Sequence, residues 1–195
     1  MIKQNLHCHT TFDDGADTPE AMVNAAVSAG LTSLGISAHS PVPGEVWCVS
    51  EENEPRFKAE LHRLREKYRG LINVYCGLEY DSRSAQRFEG YDYVIASAHT
   101  LAGTTIDNTV EEARQVIEHY GGADAAACAY YEHCAQLADI AQADIVGHFD
   151  LLTKFDERHR LYDSGSGAYR DAAFAAMERL NAAGKIFEIN TGAIS

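Results

Sequence analysis

Residues 2–39, IKQNLHCHTTFDDGADTPEAMVNAAVSAGLTSLGISAH, decide the fold. Ile2 to Leu6 is a run of strand length, and Thr18-Pro19-Glu20 places a capping hydroxyl ahead of a proline at the first helical position. Gly30 supplies the stop, so the spacing predicts a helix over roughly residues 19 to 29 that packs Met22, Val23, Ala26 and Val27. Ser33 to Ser37 is then a second apolar run of strand length. Strand, helix and strand in so short a span make a βα unit, the building block of a parallel sheet.

The same alternation continues along the chain. Further strands are expected at Leu71 to Gly77, Tyr91 to Ser97, Asp144 to Val146 and Lys185 to Ile189. Helices are expected at Pro55 to Arg69, where Phe57, Leu61 and Leu64 share a face, and at Val110 to Tyr120, Ala123 to Ala141 and Ala168 to Ala183. Ser164-Gly165-Ser166-Gly167 is a single loop rather than a linker, so residues 1–195 read as one α/β domain. The pattern alone leaves a barrel and an open doubly wound sheet both available.

Composition narrows the function. The 195 residues are 46% apolar, enough for a sizeable core, and 29 acidic against 16 basic residues give a formal charge of -13. Bulk charge therefore opposes a nonspecific grip on nucleic acid or on an anionic membrane, and any bound phosphate must be held locally. Cys8, Cys48, Cys76, Cys128 and Cys134 form no CxxC pair and read as free thiols of a reducing cytoplasm. No apolar run approaches the roughly 20 residues of a membrane helix.

Histidines fall in a pattern. His7 and His9 follow the first strand, His39 ends the second, Glu79 the third, His99 the fourth, and His148 with Asp150 the fifth. Parallel α/β folds place their sites at this C-terminal edge. In His7-Cys8-His9 strand alternation turns both imidazoles to one side, where they can converge on one divalent ion. Asp14, on the glycine turn before Gly15, is the preferred carboxylate ligand, and Asp13 is expected to cap the turn instead. A buried Glu79 calls for a partner, either metal ions bridged by its two oxygens or an arginine. His62, His119 and His133 read as helix residues, and His159 lies in the loop after the fifth strand.

With these pieces assembled, the chain resembles the polymerase and histidinol phosphatase (PHP) family, and within it the histidinol-phosphate phosphatases. The matching residues are His7-Cys8-His9-Thr10, Asp14-Gly15, Thr18-Pro19-Glu20, Ser37-Ala38-His39, Gly77-Leu78-Glu79, Ser97-Ala98-His99, Gly147-His148-Phe149-Asp150 and Glu188-Ile189-Asn190-Thr191. The resemblance implies a distorted (β/α)7 TIM-like barrel with up to three divalent ions, zinc, manganese or iron. It assigns His7, His9 and Glu79 to one ion, Asp14 and His39 to a second, and Glu79, His99 and His148 to a third. The last three make the implied catalytic set. The family pattern ends in a further strand with an Asp-x-His motif, which is not found downstream of Asn190. A last unit missing from the chain, or a second copy completing the barrel as a homo-oligomer, is the expectation.

Mixed imidazole and carboxylate donors around several ions suit phosphate-ester hydrolysis, with hydroxide attacking phosphorus in line with the departing alkoxide. Lys154, Arg158 and Arg160 are candidate phosphate-binding cations, with solvated loop charges as the alternative. The resemblance implies a small phosphorylated substrate, L-histidinol phosphate in histidine biosynthesis. An exonuclease and a catalytically inactive metal-binding domain remain as alternatives.

Overall fold

In the computed structural model, which describes residues 3–85 and 87–190, the chain forms two compact units, one ending at Ile95 and the other beginning at Ala96. In the first unit β1 (Gln4–Asn5), α1 (Pro19–Ser28), β2 (Ser33–His39), α2 (Glu54–Lys67) and β3 (Asn73–Asp81) follow in turn, and β4 (Tyr93–Ser97) begins there. The hydrogen-bonded order is β1-β2-β3-β4. β1 and β2 pair in parallel, as do β2 and β3, whose register sets His39 opposite Glu79.

Sequence explains each element. The Thr18 hydroxyl accepts the Ala21 N–H at 3.3 Å and starts α1. Val23 and Ala26 are buried, with Met22 and Val27 half-buried against the same core. Phe57, Leu61 and Leu64 on α2 are fully buried, as their spacing predicts. β2 is buried from Leu34 onward, so it reads as a continuous apolar run. Gly35 on β2 and Gly77 on β3 leave room for the ring of Tyr93, into which a Cβ at either position would run. The Tyr93 hydroxyl donates to the Leu6 carbonyl, just ahead of His7.

The second unit takes the rest of β4, a hairpin of β5 (Thr100–Leu101) and β6 (Thr104–Thr105), then α3 (Val110–His119), α4 (Ala123–Gln136), β7 (Ile145–Val146), α5 (Asp156–His159), α6 (Gly167–Ala182) and β8 (Ile186–Phe187). The Gly147 N–H donates to the Ala96 carbonyl at 3.0 Å, and β7 pairs in parallel with β8. The core gathers around Tyr130 and Tyr131 of α4, and the Tyr131 hydroxyl donates to that of Tyr169 on α6 at 2.7 Å.

All six expected strands are present, with shifted limits. The first is Gln4–Asn5 within the described residues, Ile2 lying outside them, and the third runs on to Asp81. The helix expected over 123–141 ends at Gln136 and tightens into a 3-10 turn at Leu137–Asp139. The hairpin, a 3-10 segment at Leu151–Phe155 and α5 were not anticipated. The hairpin turns at Ala102 (φ 51°) and Gly103 (φ 78°), and an alanine in the left-handed region carries no turn signature. Among the described residues no helix is long and apolar enough to cross a membrane.

Candidate metal centre

In the first unit the metal-capable side chains converge on one oxygen. Glu79 on β3 is fully buried, and its Oε2 lies 3.1 Å from His7 Nε2, 3.3 Å from His9 Nε2 and 2.9 Å from His39 Nδ1. His7 and His9 reach it because side chains continue to alternate beyond β1: Cys8 turns into the core while its neighbours turn the other way. The His9 and His39 rings stack at 4.3 Å. Three imidazoles about one buried carboxylate oxygen make an arrangement suited to a metal.

The turn after His9 holds the two aspartates apart in role. Asp14 is half-exposed, its Oδ1 3.6 Å from His9 Nδ1 and 3.8 Å from His39 Nε2. The Asp13 side chain is buried; its Oδ1 accepts the Thr10 N–H at 2.8 Å, while its Oδ2 accepts the His39 N–H at 3.1 Å and lies 2.7 Å from His9 Nδ1. Asp13 thus caps the turn and also engages two histidines, a role sequence reading missed. Gly15 closes the turn, its N–H donating to the Thr10 carbonyl at 3.0 Å, and a Cβ there would collide with the backbone of His9 and Thr10. Burial pulls the His9 pKa down, but the hydrogen bond with Asp13 and the charge of Glu79 outweigh it and leave the pKa above its usual value.

These residues fit a divalent ion on their own chemistry. His7, His9 and Glu79 offer donor atoms within 4.8 Å of one another, as do His9, Asp13, Asp14 and His39. Imidazole nitrogens mixed with carboxylate oxygens suit zinc, manganese or iron. Beside them the Trp47 ring meets His39 edge-on at 5.0 Å, and the Arg83 guanidinium lies 5.4 Å from that ring and 3.1 Å from Asp81. Neither Trp47 nor Arg83 carries a motif that would have marked it.

In the second unit His99, buried just past β4, and His148, just past β7, meet edge to face with ring centroids 4.8 Å apart. The His148 N–H donates to Glu188 Oε1 at 2.6 Å, and the Asn190 amide donates to the same oxygen at 3.1 Å. Glu188 thus holds the His148 backbone; the motif containing it was recognised without a role for it, and its last residue, Thr191, lies outside the described residues. Lys154 pairs with Asp107 at 3.3 Å, while Arg158 and Arg160 are exposed on α5 and at its C-terminal cap. His62, His119 and His159 are exposed and His133 is half-buried in α4.

The sequence model of the PHP domain matches residues 5–192, across both units. The chain belongs to the PHP domain family. It is 30% identical over 164 residues to a Deinococcus radiodurans protein named "Probable histidinol-phosphatase", covering 76% of this chain and 61% of that one. A Schizosaccharomyces pombe protein of the same name is 24% identical over 200 residues, covering 89% and 64%. The chain therefore spans about three fifths of the length of the curated relatives it matches. A crystal structure of a candidate histidinol phosphatase from Listeria monocytogenes superposes with a TM-score of 0.86 at 20% identity, covering 97% of this chain and 83% of that one. Histidinol phosphate phosphatase from Lactococcus lactis, complexed with zinc, L-histidinol and phosphate, gives a TM-score of 0.73 at 22% identity, covering 97% and 73%. These likenesses establish the expected α/β, TIM-like PHP fold.

Proposed function

We propose that the chain is the metal-holding part of a phosphomonoester hydrolase acting on L-histidinol phosphate. The observation that carries this reading is the gathering of His7, His9 and His39 about one oxygen of the buried Glu79. Family membership and the names of the relatives support the reaction class, and the zinc, L-histidinol and phosphate of the Lactococcus lactis complex support the metal and the substrate. His7, His9, Asp14, His39 and Glu79 would hold ions in the first unit, and His99 and His148 are the imidazole donors for a further ion.

Divalent ions held there supply Lewis acidity toward phosphoryl oxygens and a lowered pKa for water. The residues do the rest. Three imidazoles and Glu79 fix the ions at a buried strand end, Asp14 closes the first unit's set from its exposed turn, and Glu188 fixes the backbone of His148. Lys154, Arg158 and Arg160 are the proposed phosphate cations. Five free thiols fit a reducing, cytoplasmic setting.

Phosphate release from L-histidinol phosphate is the test, with the chain loaded with Mn²⁺ or Zn²⁺. Glu79→Gln should lower the rate by more than about 100-fold, since it removes the oxygen on which three donors converge. Release that is absent with metal, or unchanged by a chelator, overturns the assignment.

A further inference from the structure

Asp13 does more than close a turn. Its side chain is fully buried, and its two oxygens are divided between the chain and the metal-capable rings. One takes the Thr10 N–H at 2.8 Å. The other takes the His39 N–H at 3.1 Å and faces His9 Nδ1 at 2.7 Å, a distance typical of a charge-assisted hydrogen bond. A neutral imidazole that donates from Nδ1 presents a bare Nε2, and the His9 Nε2 faces Glu79 Oε2, 3.3 Å away. In that tautomer a lone pair and a carboxylate oxygen meet there, an arrangement that a divalent ion can join. The same carboxylate fixes the backbone of His39, whose ring stacks on that of His9.

From this geometry we infer that Asp13 is a positioning residue: it locks His9 in the Nδ1–H tautomer and ties the turn at residues 10–15 to the end of β2. Two ligand-bearing segments, 26 residues apart between Asp13 and His39, are thereby pre-set for one divalent ion. A carboxylate behind a ligating imidazole fixes its orientation and raises its basicity. The inference rests on the metal-binding half of the proposed function and not on the identity of the substrate.

The test uses the full chain freed of metal and titrated with Zn²⁺ against a competing chelator, for wild type, Asp13→Asn and Asp13→Ser. Asparagine keeps an oxygen for the Thr10 N–H, and serine keeps a smaller one, so at least one turn-forming variant is available. The variants should bind as many ions at saturation as wild type does, about 10- to 100-fold more weakly. Long-range ¹H–¹⁵N correlations of the imidazoles at pH 8 should show His9 as the Nδ1–H tautomer in wild type and not in Asp13→Asn, a change that general loosening of the turn does not produce. Unchanged zinc affinity overturns the inference, as does an Nε2–H His9 in wild type. Loss of a whole ion at saturation also overturns it, because Asp13 would then be a ligand. No step requires phosphate release, so an inactive chain that binds zinc as described would refute the phosphatase reading and leave this one standing.

Discussion

Glu79 is a carboxylate with no exposure to solvent, and desolvation alone would make its charge costly. Three imidazoles around Oε2, and the ion they are suited to share, make that position tolerable. This much was legible in the sequence, because an HxH pair after a strand and single histidines or glutamates at later strand ends occupy positions fixed by the alternation itself. The second role of Asp13 was not, since it depends on His39, which only folding brings near. Burial acts on the thiols at the same scale. It pushes the Cys8 pKa up to about 11, and those of Cys76 and Cys134 up to about 12, so these sulfurs stay protonated. Cys48 is also buried, while Cys128 is half-exposed. A thiol reagent at pH 8 should therefore label Cys128 first and the other four only on unfolding; rapid labelling of Cys8 or Cys76 in the native protein would contradict this packing.

Elements were read most surely where they are long. Helices α1 and α2 declared themselves, one through its Thr18-Pro19 start and the other through the shared face of Phe57, Leu61 and Leu64, whereas β5 and β6 are two residues each and carry no periodicity to detect. The packing of Tyr93 over Gly35 and Gly77 was equally hidden, because nothing in a strand pattern says which glycine a ring will cross. Gly77→Ala should cost about 1–3 kcal/mol in urea unfolding, the usual range for overpacking, and a variant as stable as wild type would show that the ring moves aside freely. Between α1 and α2, Lys67 and Arg63 hold the exposed Glu20 carboxyl down from its ordinary 4.5 to about 2. A depressed carboxylate pKa contributes stability that is present above the unfolded-state value and is lost as pH falls through the folded one. Glu20→Gln should accordingly flatten the loss of melting temperature between pH 4.5 and pH 2 while changing little at pH 7. Identical acid profiles would remove this pair from the account of acid sensitivity.

At the scale of the whole molecule, a formal charge of -13 works against compactness through self-repulsion, most strongly at low ionic strength. Two remedies are open, and they are separable. Salt screens every exposed charge within about 10 Å at 0.1 M, whatever its position. A divalent ion acts only where donors are assembled, and it stabilises by mass action, about 2.7 kcal/mol at a free concentration 100 times the dissociation constant. For a chain of this size that amounts to a rise in melting temperature of roughly 5–10 °C. Saturating Zn²⁺ or Mn²⁺ should therefore raise the transition well beyond what an equal ionic strength of sodium chloride achieves, and a chelator should reverse it. Glu79→Gln separates the two effects: the variant should keep the response to sodium chloride and lose most of the response to the divalent ion. If the metal shift survives in that variant at full size, the stabilising ion sits elsewhere on the acidic surface, and the convergence of His7, His9 and His39 on Glu79 is not what holds it.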